Sequence, residues 1–324
     1  MAKRSLSEQL DSIVDAILAR PDLPLTDVEG ALVPLAELAT GLRQLPRPDF
    51  KTNLKNELMR RTSMPATQEK LKASYKREGF RTVTPYIISE KGEALIDFVK
   101  QAFGAEELFR AIGSAGGYHC EVRVGDSMLM LGGGAKYKGP SHPTAIHLKV
   151  DNVDELYQRA LQAGATSGYP PQDFEYGEHG AGVNDPFGNE WYLATPIGDT
   201  HFLPEMGTVT PCLHPHGADK LIEFLKQAFG AEEIVRYGPA DKIEHAKVRV
   251  GDSVLELSEA HGPYQPLEST FFMYVEDIDE TYRRALAAGA TSLYPPAVQP
   301  YGGRGAGVRD AFGNTWYIAT HDGK

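Results

Sequence analysis

Leu95-Ile-Asp-Phe-Val-Lys-Gln-Ala-Phe-Gly-Ala-Glu-Glu107 returns as Leu221-Ile-Glu-Phe-Leu-Lys-Gln-Ala-Phe-Gly-Ala-Glu-Glu233, an offset of 126 residues. The same offset joins Thr82-Val-Thr-Pro-Tyr to Thr208-Val-Thr-Pro-Cys, and Val122-Arg-Val-Gly-Asp126 to Val248-Arg-Val-Gly-Asp252. From Val150 and Val275 onward the offset is 125, and it stays so through Asp185-Pro-Phe-Gly-Asn and Asp310-Ala-Phe-Gly-Asn, so one loop residue has been lost. A period of this length exceeds a solenoid unit and has the size of a domain. The chain therefore carries a duplicated domain.

Each copy divides again. In the first, an alternating run from Val83 to Ile88 predicts a strand, Gly92 to Phe103 a helix, and Glu107 to Ile112, Tyr118 to Val124 and Met128 to Leu131 three further strands. The order βαβββ then repeats. Ala145 to Val150 predicts a strand, Val153 onward an amphipathic helix closed by Gly164, and three short strands end at Trp191-Tyr-Leu-Ala. Two copies of two modules give an α+β chain of four βαβββ modules, with each helix covering one side of a curved mixed sheet.

Alternation assigns the strand faces, because successive side chains point oppositely. Val83, Ile87, Cys120, Val122, Val124, Leu129, Leu131, Ile146, Leu148, Val150, Trp191 and Leu193 form one apolar set, expected beneath the helices. The opposite face is mixed and is where a ligand is expected. From the first copy it offers Thr84, Tyr86, His119, Glu121, Met130, Ala145, His147 and Tyr192; from the second, Thr210, His245, Lys247, Glu256, Thr270, Phe272 and Tyr317.

The chain has 324 residues, 41% hydrophobic, and a formal charge of −11. Such a charge argues against nucleic acid and anionic membrane surfaces as partners, since both need a basic footprint. Cys120 and Cys212 lie inside apolar alternating runs and are expected as buried thiols in a reducing cytoplasm. No signal peptide or membrane span is evident, so an unexported, soluble protein is expected.

Thr-Pro-Tyr, Ala-Leu-Ile-Asp-Phe, Phe-Gly-Ala, His-Cys-Glu-Val-Arg-Val-Gly-Asp-Ser, Leu-Lys-Val-Asp-Asn-Val-Asp-Glu and Asp-Pro-Phe-Gly-Asn-Glu-Trp occur in this order. Together they resemble the PhnB-like branch of the vicinal-oxygen-chelate (glyoxalase/bleomycin-resistance/dioxygenase) superfamily. The resemblance spans residues 80 to 196 and 206 to 322. It implies two tandem glyoxalase-like domains, over 79–198 and 199–324. It leaves the activity open, because the scaffold carries lyases, epimerases, dioxygenases, thiol transferases and metal-free drug-binding proteins. Metal-dependent members take one His, Glu or Gln from the first and last strand of each module. Carried over, those positions are Thr84, Met130, Ala145 and Tyr192 in the first copy, and Thr210, Glu256, Thr270 and Tyr317 in the second. With one carboxylate among eight residues, the resemblance implies no superfamily metal site and no cofactor.

Several concave-face residues admit a functional and a plain reading. His119 and His245 occupy matching places and are candidate general bases, or hydrogen-bond markers of the fold. His147 has no counterpart, since Phe272 replaces it, and is a candidate for substrate hydrogen bonding or packing. Tyr192 and Tyr317 offer an amphipathic wall, or close the barrel. Glu256, within Val-Leu-Glu-Leu-Ser, needs a partner, with Arg249 or Lys247 as candidates, or else acts as acid or base. Catalytic candidates are thus His119, Glu121, His147, Tyr192, His245 and Glu256. Ligand-binding candidates are Thr84, Tyr86, Met130, His147, Tyr192, Thr210, Glu256, Phe272 and Tyr317. In relatives an arginine often follows the Tyr-Gly pair; Arg304 matches and His179 departs.

Residues 1 to 78 belong to neither copy. Ser5-Leu-Ser-Glu8 and Thr26-Asp-Val-Glu29 have capping-box spacing, and apolar residues recur at helical intervals, so an all-α segment is expected there. It carries thirteen basic and eleven acidic residues, and could dock on the acidic tandem unit, drive oligomerisation or bind another protein. The expected function is metal-free binding of a small organic molecule, for ligand sequestration or resistance. Its rivals are a metal-dependent lyase or dioxygenase, a metal-free isomerase using His119, Glu121 and Tyr192, and a protein-interaction module acting through the N-terminal helices.

Overall fold

The structure, a computed structural model, describes residues 75–113, 116–198, 203, 205–239, 242–299 and 303–321. The expected N-terminal helices lie outside the described residues. Residues 72–324 form one compact unit. Its elements run β1 (Val83–Ser89), α1 (Gly92–Phe103), β2 (Glu106–Ile112), β3 (Tyr118–Val124), β4 (Ser127–Gly133), β5 (Ala145–Lys149), α2 (Val153–Gln162), β6 (Thr166–Phe174), β7 (Glu178–Asn184) and β8 (Glu190–Pro196) in the first copy. The second copy follows with β9 (Val209–Leu213), α3 (Ala218–Phe229), β10 (Glu232–Tyr237), β11 (His245–Val250), β12 (Ser253–Leu257), β13 (Thr270–Tyr274), α4 (Ile278–Ala287), β14 (Thr291–Val298), β15 (Arg304–Arg309) and β16 (Thr315–Thr320).

Local sequence explains the boundaries. Gly104 and Gly230 end α1 and α3 in the left-handed region, at φ 67° in both. Asn152 and Asp277 cap α2 and α4 by accepting the amides of Glu155 and Glu280. The Asp-Xaa-Phe-Gly-Asn stretches are buried knots. Asp185 accepts from the amides of Phe187 and Asn189, from the Asn189 side chain and from the Trp191 indole, and Asp310 does the same with Phe312, Asn314 and Trp316.

The modules pair across the copies. One eight-stranded sheet runs β14-β15-β16-β13-β1-β4-β3-β2, and the other β10-β11-β12-β9-β5-β8-β7-β6. Each sheet thus joins a module of the first copy to one of the second, antiparallel, through β1/β13 and β5/β9. The two modules of a copy instead share a core. Helices α1 and α2 pack together between the sheets, as do α3 and α4, and Arg159 and Arg284 donate to the carbonyls of Ala102 and Gln227 near the ends of α1 and α3.

The expected apolar face holds with one exception. Ile87, Cys120, Val122, Leu129, Leu131, Ile146, Leu148, Trp191 and Leu193 lie in the first core. Val83 lies in the second, and Val209 takes the converse place in the first. The start of β1 is paired with β13, Val83 opposite Met273, so its side chain faces the other copy's helices.

Candidate functional site

Each sheet carries one concave face, and each face draws on both copies. This corrects the copy-by-copy grouping of Thr84, Met130, Ala145 and Tyr192. Thr84 and Met130 belong with Thr270 and Tyr317 in a first cleft; Ala145 and Tyr192 belong with Thr210 and Glu256 in a second. It also separates His119 and Glu121 from Tyr192, which lie on different sheets and cannot form a single isomerase site.

The first cleft brings together Thr84 and Tyr86 of β1, His119 and Glu121 of β3, Met130 of β4, Phe272 of β13 and Tyr317 of β16. His119 bridges the Tyr86 hydroxyl, 3.0 Å from Nδ1, and Glu121 Oε1, 3.2 Å from Nε2. Into this face runs the stretch before β1. Phe80 is buried, edge-on to Tyr274 with ring centroids 5.8 Å apart, in a cluster with Met128, Met130 and Ala319 that is separate from the two cores. Arg77 lies over the Phe80 ring and forks onto Glu121: Nη1 donates to Oε1 at 2.7 Å and Nη2 to Oε2. Burial alone would raise the Glu121 pKa, but the bonds from His119 and Arg77 bring it below the ordinary carboxylate value. A cavity of about 550 Å³ opens alongside, lined by Arg77, Phe80, Leu108, Arg123, Asp126 and Met128 among others.

The second cleft holds a buried charged group. His147 of β5 stands beside Tyr192 and opposite Thr210 in register; Lys247 of β11 stands opposite Glu256 of β12, which is in register with Cys212 of β9. His147 Nδ1 is 2.7 Å from Glu256 Oε2, and its Nε2 is 3.7 Å from Glu178 Oε2. Lys247 Nζ lies 3.2 Å from Glu256 Oε1 with its side chain 0% exposed, and it also reaches the Met206 sulfur at 3.2 Å. Cys212 donates to Glu256 Oε2 at 3.4 Å, and His245 Nε2 lies 3.7 Å from Oε1. Burial would raise the Glu256 pKa, but His147 first and Lys247 next hold it far below the usual range. Burial would lower that of His147, and the Glu256 and Glu178 carboxylates raise it instead. The wall is phenolic. The Tyr192 hydroxyl donates to Glu190 and meets His214 Nε2 at 3.3 Å, and the Tyr192 ring lies 5.8 Å from that of Tyr264. Burial lowers the His214 pKa to about 4, so this imidazole is neutral.

These contacts bear on a superfamily metal. Thr84, Met130, Thr270 and Tyr317 offer no carboxylate or imidazole. In the second cleft both oxygens of Glu256 are already taken, one by the His147 imidazole and the other by the Lys247 ammonium. A divalent ion there would lie against a fixed cation, so the donor set does not fit a metal. Among the described residues no group of three or more His, Cys, Asp or Glu forms a metal-holding set.

The sequence places His147 and Tyr192 on the mixed face of the first copy and Thr210 and Glu256 on that of the second, without joining them, and offers Lys247 only as a partner of Glu256; Glu178 carries no site expectation. Lys247 stands one repeat after Glu121, a swap from acid to base that the repeat displays. Arg77 and Phe80 carried no signal, since they precede the first strand. Arg304 and His179 sit outside both clefts: Arg304 pairs with Asp279 of α4, and His179 with Asp154 of α2 and with Asp173. The histidine thus fastens a hairpin to a helix as the arginine does.

Comparison with known proteins follows the same repeat. The model of the Glyoxalase/Bleomycin resistance protein/Dioxygenase superfamily matches residues 83–193 and 216–318. The chain is similar to the uncharacterized protein Mb0911c of Mycobacterium bovis, 34% identical over 130 residues, covering 37% of this chain and 86% of that protein. Its fold is similar to glyoxalase I from Zea mays (TM-score 0.54, 15% identity, 73% of this chain and 92% of that one). It is also similar to a putative dioxygenase from Bacillus subtilis (TM-score 0.51, 14% identity, 73% and 83%). With both copies matched over most of their length, the chain belongs to the glyoxalase/bleomycin resistance protein/dioxygenase superfamily.

Proposed function

We propose that this protein binds a small organic molecule in the second cleft, without a catalytic metal, as a sequestering or resistance protein of the PhnB-like branch. The branch assignment rests on the ordered motifs from Thr-Pro-Tyr to Asp-Pro-Phe-Gly-Asn in the first half, 79–198, and on their counterparts from Thr-Pro-Cys to Asp-Ala-Phe-Gly-Asn in the second, 199–324. The observation that supports binding is the desolvated group of His147, Lys247 and Glu256 in the middle of a concave face, 7%, 0% and 3% exposed. Burying charges is costly, and replacing them by apolar residues is often neutral or stabilising, so such a group suits recognition better than stability. Tyr192 and Tyr264 provide amphipathic walls for an organic ligand beside it. The two carboxylates beside His147 favour its protonated form, which suits it to donating a hydrogen bond better than to removing a proton. Cys120 and Cys212 are free buried thiols, in keeping with a reducing cytoplasm. No described helix is long and apolar enough to cross a membrane. A protein partner for the N-terminal segment remains a separate proposal, resting on its amphipathic pattern alone.

The test is a thermal-shift screen of organic compounds on the intact chain, repeated with His147→Gln and Tyr192→Ala. A stabilising compound whose effect is lost in both variants supports the reading. Compounds that stabilise all three proteins equally would move the site elsewhere. Metal analysis of protein purified without chelator addresses the rival enzyme: stoichiometric nickel, zinc, manganese or iron would overturn the metal-free reading.

A further inference from the structure

The two clefts are built from equivalent strands, so their charges can be compared through the offset of 126. In the second cleft acid and cation both stand on strands, Glu256 on β12 and Lys247 on β11. In the first, Glu121 takes the place of Lys247 and Met130 that of Glu256, so these two positions supply an acid and a thioether. The counter-charge comes from outside the sheet, from Arg77, whose place in the second copy is held by Leu203. Both copies send an apolar residue into the cleft from this stretch, Phe80 and Met206, but only the first adds a cation to it.

Glu121 is 3% exposed and faces a cluster that includes Phe80, Met130 and Tyr274, whereas Arg77 is 41% exposed. A carboxylate in such surroundings needs a cation, and a planar fork over an aromatic ring meets it with two parallel bonds. The ring is Phe80, 4.7 Å from the guanidinium carbon. Everything the pocket recognises in Arg77 and Phe80 is chemistry that a free molecule can present.

We infer that the first cleft is a recognition pocket for an organic cation, a guanidinium or amidinium on an aromatic body, and that Arg77 with Phe80 is its tethered occupant, displaced when such a ligand binds. The inference concerns a different cleft from the proposed function and stands or falls independently. A tethered occupant lowers the apparent affinity by the fraction of time that it leaves the site empty.

Isothermal titration of the full chain with benzylguanidine tests this, with benzylurea as the uncharged isostere. Arg77→Ala should bind benzylguanidine about tenfold or more tightly than the wild type, a difference of about 1.4 kcal/mol. Adding Glu121→Gln should abolish that binding, and benzylurea should bind neither protein. Arg77→Gln, which keeps a hydrogen-bonding side chain without the charge, should gain affinity in the same direction if Arg77→Ala does not fold. Affinity unchanged in a folded variant, equal binding of benzylurea, or binding that survives Glu121→Gln would each overturn the inference. So would the failure of both Arg77 variants to fold, because an occupant on which folding depends is not displaceable.

Discussion

His147 lies between two carboxylates, and that placement sets its charge. Burial works against protonation, but Glu256 at 2.7 Å and Glu178 at 3.7 Å outweigh it and raise the pKa above 6.5. Below pH 6.5 the folded and unfolded chains both carry the proton, and the full stabilisation is present. As the pH rises from there towards the folded-state pKa, the unfolded chain loses its proton first, so the contribution declines; above the folded value it is gone. Stability should therefore fall with rising pH across this window, and His147→Gln should remove that part of the slope. Urea unfolding of both proteins at a series of pH values measures it; parallel slopes would mean that His147 is not the titrating group. Lys247 gives a second expectation at this scale. Lys247→Met removes one of the two cations at Glu256, leaving His147 at 2.7 Å, and should cost about 1.5–3 kcal/mol, whereas Lys247→Met with Glu256→Gln should cost less, because the side chain facing the new thioether is then uncharged. A single variant within about 1 kcal/mol of wild type would show that the pair is not desolvated.

The Gly-Asp-Ser turns between β3 and β4 and between β11 and β12 act as clasps between the copies. Asp126 accepts the Thr208 amide at 2.7 Å and Ser127 the Val209 amide at 3.1 Å; Asp252 and Ser253 accept those of Thr82 and Val83 at 2.7 and 2.8 Å. Gly125 sits at φ +58°, where a Cβ would come within 2.2 Å of the Thr208 hydroxyl, and Gly251 meets Thr82 in the same way. Gly262, at φ +51° with nothing within 4 Å, provides the control. Gly262→Ala should cost the strain of the left-handed backbone alone, about 1–2 kcal/mol. Gly125→Ala should cost that and about 1–3 kcal/mol more, as the clasp opens and its amides lose their acceptors. Equal costs by chemical denaturation would mean that the turn yields without disturbing the other copy. At this scale the sequence was a good guide. The strand from Tyr118 to Val124 and the helix from Gly92 to Phe103 end where alternation and the glycines place them, because those signals are local. The Gly-Asp stretches are visible in the sequence as repeat markers; that their acceptors serve the other copy depends on a neighbour remote in sequence.

Which module pairs with which was not legible, since a repeat presents the same edges and the same apolar faces to either partner. A domain folded on itself and a domain paired with its duplicate bury equivalent residues, and only positions near the junction, such as Val83 and Val209, change cores between the two. The site suffered accordingly. Glu256 and His147 were each recognised as unusual, but their meeting at 2.7 Å needs β5 to lie beside β9, which no pattern within either copy specifies. The arrangement makes a prediction about half of the molecule. Residues 1–198 alone would keep α1 and α2 over their shared core but would leave β1 and β5 as exposed central edges, each with one face of the cleft uncovered. Unpaired edges of this kind seek a partner strand. A second copy of the same fragment supplies one, because β5 of one chain can stand where β13 stood beside β1, and β1 of the other where β9 stood beside β5. The fragment should therefore form a closed, two-fold dimer, burying the same type of edge twice. Light scattering on the purified fragment should give twice its chain mass, and a soluble, folded monomer would show that the pairing across the copies is dispensable.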